Sequence, residues 1–139
     1  YYRGKHIKGC GWYPDRVVRL YDKTKTQFSD DLVHEKIIVD NVRTVVLENP
    51  IFHYPYNSID DFLRKMQSYT TLFADQYYNK KKATFCTAIC HSLAAFIKSY
   101  FLKRGFLLGT EGIEISIYNA ICAYYKYLKL RDKNEKTRL

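Results

Sequence analysis

The spacing of apolar residues changes near Ser58, so the two parts of the chain predict different secondary structure. Before Ser58, the apolar residues come in short runs rich in β-branched and aromatic types. These runs lie at residues 16–21, 36–39, 43–47 and 50–55. Runs of this kind are typical of β-strands. We expect short strands joined by loops in this first part of the chain.

After Ser58, the apolar residues recur at intervals of three and four, which is typical of helices with one apolar face. Three such helices are expected. The apolar face of the first is predicted at Ile59, Phe62, Leu63, Met66, Tyr69, Phe73 and Tyr77. The second is predicted at Phe85, Ile89, Leu93, Phe96, Ile97 and Tyr100. The third is predicted at Ile113, Ile117, Tyr118, Ile121, Tyr125 and Leu128.

Capping residues predict where these helices begin and end. Ser58 is a good N-cap, and the two aspartates that follow Ile59 suit the positive end of the helix dipole. Gly105 is expected to end the second helix, and Thr110 or Gly112 to begin the third. Residues 131–139 are expected to form a charged, frayed end. The predicted fold class is therefore α+β, with short strands and loops followed by about three helices.

Composition limits the classes of function. The 139 residues fit one domain with a core, and the 23 Lys and Arg against 14 Asp and Glu give a net charge of +9. That charge suits phosphates, nucleic acid or an anionic membrane, and does not choose among them. The sequence shows no uninterrupted apolar run of about 18 residues, so we do not predict a membrane span. Because Met66 is the only methionine, we expect the chain to be part of a longer protein.

The four cysteines do not predict a disulfide framework or a metal site. Cys10, Cys86, Cys90 and Cys122 are irregularly spaced, which favours a reducing compartment. Cys86, Cys90 and His91 would share part of a helix surface, but their spacing does not match known zinc patterns. We expect buried structural thiols.

Residues 9–35 concentrate the side chains with chemical potential. Gly9 and Gly11 allow tight backbone geometry, and Pro14 restricts the residue before it, so a turn should present Trp12 and Tyr13. A carboxylate and two arginines follow, and the stretch ends with a His-Glu pair. Whatever chemistry the chain has is expected here.

Several blocks together resemble the C-terminal half of family 2 glycosyltransferases. In order, they are Gly-Cys-Gly-Trp-Tyr-Pro-Asp-Arg-Val-Val-Arg-Leu-Tyr from Gly9, Val-His-Glu ending at Glu35, the His53, Tyr54, Tyr56 and Ser58 block, and Arg-Gly-Phe-Leu-x-Gly-x-Glu-Gly from Arg104. The most similar group is the lipopolysaccharide core β-1,4-glucosyltransferase type. The resemblance covers nearly the whole chain and keeps the order of its blocks.

This resemblance implies the C-terminal part of an α/β GT-A fold. Residues 1–55 would be an acceptor-side segment of strands and loops, and residues 56–139 a helical region. Enzymes of this type use a nucleotide-sugar donor and a divalent metal, Mg²⁺ or Mn²⁺, held by an Asp-x-Asp motif. The sequence has no Asp-x-Asp, P-loop or Rossmann fingerprint. We therefore expect a fragment that lacks the donor-binding half and is inactive alone.

An inverting sugar transfer needs a carboxylate that takes the proton of the acceptor hydroxyl. Glu35 and Asp15 are the candidates. We favour Glu35, because the resemblance places the His-Glu pair near the active-site cleft and the apolar residues after it would anchor it. The alternative for Glu35 is an exposed charge without a catalytic role.

Six further residues are candidates for substrate binding: Trp12, Tyr13, Arg16, Arg19, His34 and His53. The two aromatic rings could stack on a sugar, and Trp12 could equally pack in the core. The two arginines could hold phosphate or lie on a solvated edge. Either histidine could contact the metal or the diphosphate, or be structural.

A membrane surface is the last expected partner, because the implied acceptor is a lipid-linked glycan. Lys80, Lys81 and Lys82, with Phe106, Leu107 and Leu108, combine basic and apolar groups as peripheral membrane proteins do. The alternative is a solvated basic face. We expect a cytoplasmic protein, peripheral on the inner face of the membrane. A non-catalytic module for anionic membrane or single-stranded nucleic acid is the competing class; nucleic acid is not expected, because the basic residues are scattered.

Overall fold

A computed structural model describes residues 1–32, 35–56 and 58–136. Its α-helices are α1 (Ile59–Tyr77), α2 (Phe85–Ile97) and α3 (Thr110–Lys136). A π-helical turn (Lys98–Leu102) continues α2, and a 3-10 turn (Gly105–Leu108) precedes α3. The prediction of three helices after Ser58 is confirmed.

Side-chain caps fix the starts of α1 and α2. The Ser58 hydroxyl accepts from the Asp61 N–H at 3.2 Å, and the Asp61 carboxylate accepts from the Ser58 N–H at 3.1 Å. The predicted cap is therefore confirmed. Thr84 and Thr87 form a second capping pair that the sequence reasoning missed. The prediction that Gly105 ends the second helix is wrong, because the chain leaves the π-helical turn through Arg104, which adopts a left-handed conformation with φ 55°.

The strand predictions are wrong for the part of the chain that the structure describes. The pairings seen there are isolated bridges, Tyr2 with Lys5, Tyr2 with Tyr56, and Phe28 with Ile37. Side chains of the expected strands lie in solvent, with Leu20 91% and Leu47 77% exposed. Strands need a neighbour or a packed layer, which the four runs lack here. The four runs that were wrongly predicted to be strands are residues 16–21, 36–39, 43–47 and 50–55. The chain is mostly helical rather than α+β.

The helices pack through small and polar residues. α3 packs against both α1 and α2, and Thr70, Ala74, Ala88 and Ser116 are buried at the helix surfaces. The buried hydroxyls of Thr70 and Ser116 donate within their own helices, to the Met66 and Gly112 carbonyls, each at 2.7 Å. Large apolar residues that were expected to face inward are therefore exposed in part. These are Ile59, Leu63, Tyr69, Phe85, Ile89, Leu93, Ile97, Ile113, Ile117, Ile121 and Tyr125.

The end of α3 is more ordered than the sequence suggested. The helix continues to Lys136. The Asn134 side chain donates to the Lys81 carbonyl at 2.9 Å and accepts from the Asn79 N–H at 3.1 Å. The expectation of a frayed end from residue 131 is therefore wrong as far as Lys136.

One helical window has the length and composition of a membrane span. It runs over Phe85–Leu102, has a mean hydropathy of 1.4, and is only 11% buried. The window is not an uninterrupted apolar run, because it contains Thr87, His91, Ser92, Lys98 and Ser99, but these residues do not lower its mean hydropathy enough to exclude it. Soluble proteins also contain such helices, so the window by itself is weak evidence.

Candidate functional site

The turn at residues 9–12 is held by the glycine-rich corner before α3. The Cys10 N–H donates to the Lys103 carbonyl at 2.8 Å, and its thiol lies 3.5 Å from the Gly112 carbonyl oxygen. A Cβ atom on Gly9 would lie 2.9 Å from the Arg104 carbonyl oxygen, so only glycine fits there. The two glycine-containing blocks of the family resemblance therefore meet in space.

Charged contacts fasten the first residues to the start of α3. The Tyr2 hydroxyl and an Arg3 nitrogen donate to the two oxygens of Glu114, each at 3.0 Å. Lys5 lies 2.6 Å from Glu111, whose residue is only 8% exposed. The Lys5 ammonium and a backbone N–H hold the pKa of the Glu111 carboxyl below its usual value. These contacts hold the first residues of the chain, which carry part of the aromatic cluster, against the start of α3.

Trp12 packs against the hydrophobic core. Its ring stacks on Tyr56 at 5.4 Å and lies 6.3 Å from Phe62. Tyr56 in turn stacks on Phe62 at 3.9 Å, and burial raises the pKa of the hydroxyls of Tyr56 and Tyr118. The geometry therefore gives Trp12 a packing role; a contact with substrate stays a prediction.

Tyr13 belongs to a row of contacting rings, exposed except for the half-buried Tyr1, that the sequence reasoning missed. Its ring meets the edge of His6 at 5.3 Å, His6 stacks on Tyr1 at 5.1 Å, and Tyr1 stacks on Tyr54 at 5.0 Å. The Phe52 ring also contacts Tyr1, with 5.8 Å between the ring centres. Tyr13, Tyr54 and Phe52 are 54%, 59% and 66% exposed. We call Tyr1, His6, Tyr13, Phe52 and Tyr54 the aromatic row. The rings at positions 52 and 54, two residues apart, were a signal for it.

Glu35 lies next to a short pairing of two loops. Ile38 N–H donates to the Gln27 carbonyl at 3.0 Å, and Ser29 N–H donates to the Lys36 carbonyl at 2.8 Å. Ile37, two residues after Glu35, is 7% exposed and anchors this pairing. Glu35 itself is exposed. The strand that was expected to anchor Glu35 is not formed by the described residues, which make a single bridge there, Phe28 with Ile37.

The remaining candidates are not gathered into one cluster. Asp15, Arg16 and Arg19 are exposed, and no hydrogen bond or ion pair joins them to Glu35 among the described residues. His34 lies outside the described residues. His53 is exposed, and its carbonyl accepts from the Tyr1 nitrogen at 2.7 Å.

A metal ion is not supported by the described residues. Across residues 1–32, 35–56 and 58–136, no group of three His, Cys, Asp or Glu side chains is placed to hold one. Cys86 and Cys90 are exposed rather than buried, which corrects the expectation of buried thiols, whereas Cys10 is buried as expected. This part of the chain does not by itself build the divalent-metal site that the family resemblance implies.

The expected membrane residues divide into two sets. Phe106 and Leu107 are 49% and 67% exposed, whereas Leu108 packs against the core cluster. Lys80 and Lys82 are exposed. The Lys81 ammonium instead lies 3.7 Å from the centre of the Tyr77 ring.

Comparison with known proteins gives relatives of one kind. The chain is 27% identical over 133 residues to an uncharacterized glycosyltransferase of Rickettsia typhi. The matched region covers 89% of this chain and 46% of that protein. An uncharacterized glycosyltransferase of Rickettsia prowazekii is 27% identical over 132 residues, or 88% and 45% of the two chains. The chain is similar in sequence to glycosyltransferases.

A third relative, from Rickettsia conorii, is 26% identical over 133 residues, with 89% of this chain and 47% of the relative covered. The chain thus spans less than half the length of these glycosyltransferases. No family model matches the chain. No solved structure matches it either.

Proposed function

We propose that the chain is the acceptor-side part of an inverting, nucleotide-sugar-dependent glycosyltransferase of family 2, with a GT-A fold in the whole protein. The observation that carries the proposal is the similarity, along 133 residues, to proteins named glycosyltransferases. The acceptor is a lipopolysaccharide or lipooligosaccharide core, or another glycan of the cell envelope. This substrate class comes from the resemblance of the blocks that begin at Gly9 and Arg104.

Glu35 is the proposed general base. As the acceptor hydroxyl attacks the anomeric carbon of the donor, its proton passes to a Glu35 carboxylate oxygen, while the bond from that carbon to the diphosphate breaks. The exposure of Glu35 and the buried anchor at Ile37 support this role. Asp15 is the alternative base, on the exposed segment that follows Tyr13.

The aromatic row is the proposed acceptor platform. Sugar rings present C–H groups on one face, and aromatic rings offer matching apolar area. Three of its rings are more than half exposed, so a sugar could reach them without disturbing the core. Arg16 and Arg19, also exposed, would attract the phosphates of an envelope glycan or of the donor.

The donor side is proposed to involve residues beyond those described. A divalent metal, when bound, would neutralise the charge that develops on the departing diphosphate. The described residues do not form its site. His34, which lies outside them, and the exposed His53 stay candidates for contact with the metal or the diphosphate. The roles assigned to Glu35, Asp15 and the aromatic row concern the acceptor alone.

The test uses the full-length gene product with a panel of nucleotide sugars and an envelope lipid fraction as acceptor. Release of nucleoside diphosphate that requires both donor and acceptor would support the proposal. A folded protein whose melting temperature responds to no nucleotide sugar or nucleoside diphosphate, with or without Mg²⁺ or Mn²⁺, would contradict it. Salt-sensitive binding of single-stranded oligonucleotides in the same preparation would instead support a nucleic-acid module.

A further inference from the structure

The outer side of α2 carries a large exposed apolar residue at every fourth position. These residues, which we call the apolar ridge, are Phe85, Ile89, Leu93, Ile97 and, in the π-helical turn, Phe101. Leu93, Ile97 and Phe101 are 59%, 51% and 55% exposed. Side chains four residues apart follow one row along a helix, so the ridge is continuous. Proteins that stay free in water rarely expose an apolar surface of this kind.

The turns after α2 extend this surface. Leu102, Phe106 and Leu107 are 73%, 49% and 67% exposed. Gly105, between them, is buried against Cys10 and Ser99. The corner that fixes the residue 9–12 turn therefore also holds these apolar side chains outward.

The charge around the ridge has a single sign. No Asp or Glu occurs between Asp75 and Glu111. The cations in the same interval are Lys80, Lys81, Lys82, Lys98, Lys103 and Arg104. They lie before α2 and near its end, so both ends of the ridge are basic. An apolar strip with basic ends and no carboxylate complements a lipid surface that carries negative head groups.

We propose that the apolar ridge, with the cations at its two ends, docks the protein on an anionic phospholipid surface with α2 lying in the plane of the interface. The inference does not depend on sugar transfer. It places the docking surface mainly on α2, which the sequence analysis treated as a core helix.

The inner side of α2 explains why the helix lies on the membrane and does not cross it. Ser92 donates to the Ala120 carbonyl at 2.9 Å, the Ser99 hydroxyl accepts from the Asn119 amide at 3.0 Å, and the Ser99 and Ser116 hydroxyls are hydrogen-bonded at 3.0 Å. α2 is therefore bound through polar contacts to α3. Charged residues of α3, including Lys126, would have to enter the hydrocarbon if α2 spanned it, which is costly.

A second exposed stripe on α3 provides a matched control. Ile113, Ile117, Ile121 and Tyr125 also recur at every fourth position, and each is 40–45% exposed. This stripe, however, begins among Glu111 and Glu114. Arg3 and Lys5 pair with these two carboxylates, so this end of the stripe carries no excess of positive charge, and the proposal assigns membrane docking to α2 alone.

The first experiment measures flotation of the full-length gene product with phosphatidylcholine vesicles that contain phosphatidylglycerol. The double variant Leu93→Gln, Ile97→Gln should bind at least about tenfold more weakly, because each side chain loses apolar contact with lipid. The control Ile117→Gln, Ile121→Gln should bind as the wild type does. Equal loss in both variants would overturn the proposal.

The second experiment reverses charge at the ends of the ridge. Lys80→Glu, Lys82→Glu and Lys103→Glu together should weaken binding at low salt about a hundredfold, since each lysine near an anionic surface contributes roughly fivefold. Lys81 is left in place because of its contact with Tyr77. The control for this triple variant reverses the charge of Lys23, Lys36 and Arg43, which are exposed on the loops. Equal binding to pure phosphatidylcholine, or equal loss in the control, would contradict the proposal.

Two native thiols report the contact directly. Cys86 and Cys90 are exposed on α2, so anionic vesicles should slow their reaction with a water-soluble maleimide, and neutral vesicles should not. An unchanged reaction rate in bound protein would overturn the proposal. The proposal would also be overturned if the Leu93→Gln, Ile97→Gln variant had a lower melting temperature but unchanged flotation. That result would mean that another part of the protein covers the ridge. Resistance to alkaline carbonate extraction would show a spanning helix and overturn the interfacial one.

Discussion

The Cys10 thiol lies 3.5 Å from the carbonyl oxygen of Gly112, a residue 102 positions later in the chain. This contact joins the turn that presents Trp12 and Tyr13 to the corner from which α3 starts. Glycines make the approach close, since a Cβ atom on Gly112 would lie 1.9 Å from the Gly105 carbonyl oxygen. The candidate site therefore depends on packing between the turn at residues 9–12 and the corner from which α3 starts.

Gly112→Ala tests this packing. The added methyl group has no space, so we expect the free energy of unfolding to fall by about 3 kcal/mol, the upper part of the range for overpacking. Gly4→Ala is the control, because nothing lies within 4 Å of its Cβ position although its φ is +77°. Backbone strain alone should cost about 1 kcal/mol there. Chemical denaturation measures both; equal losses would show that the close approach does not matter.

The Lys5–Glu111 pair predicts a dependence of stability on pH. The Glu111 pKa is lower in the folded protein, so its contribution to stability is complete above its pKa in the unfolded chain and is lost as pH falls through the folded pKa. The window therefore lies at and below about pH 4. Lys5→Met should raise the Glu111 pKa, as followed by NMR titration, whereas Lys8→Met should not. An unchanged Glu111 pKa in Lys5→Met would mean that the pair does not form in solution.

The cysteines should fall into two classes of reactivity. Cys10 is buried, and burial raises the pKa of the Cys122 thiol, so both should react slowly with iodoacetamide. Cys86 and Cys90 are exposed and should react first. Mass spectrometry of the folded and the denatured protein identifies the order. Fast labelling of Cys122 in the folded protein would contradict the packing of α3.

Two aromatic substitutions separate substrate contact from packing. Tyr13→Ala should raise KM for the acceptor by about three- to tenfold at unchanged melting temperature, because its ring is 54% exposed. Trp12→Ala should instead lower the melting temperature, because its ring stacks on Tyr56. A destabilised Tyr13 variant with normal KM would assign the aromatic row to structure and remove it from the acceptor site.

The sequence predicted the helices better than the packing. Ser58 and Asp61 are local signals, and the α1 cap could be read from them. The buried faces of the helices could not be predicted in this way. Thr70, Ala88 and Ser116 are buried between the helices, where small side chains and hydroxyl bonds allow close approach, whereas Leu93 and Ile97 are exposed. A pattern of large apolar residues identifies a helix, but it does not say whether that face meets protein or lipid.

The arrangement of the candidate site could not be predicted from the residue types in it. Residues 9–35 contain both candidate carboxylates, and the catalytic role of either one stays a prediction. The aromatic row was not foreseen, since Tyr1 meets Phe52 and Tyr54 only through long-range folding. The runs expected to be strands failed because β-type composition does not provide a partner strand, and Leu20 and Leu47 lie in solvent.

The most direct test of the proposed function is the turnover of Glu35→Gln in the full-length gene product, measured as acceptor-dependent release of nucleoside diphosphate. Glutamine keeps the shape of the side chain but cannot take the proton, so kcat should fall about 10²- to 10⁴-fold while donor affinity and melting temperature stay nearly constant. Asp15→Asn is the matched control and should keep most of the activity. Near-normal turnover of Glu35→Gln would contradict the account, and a large loss in Asp15→Asn alone would transfer the role of base to Asp15.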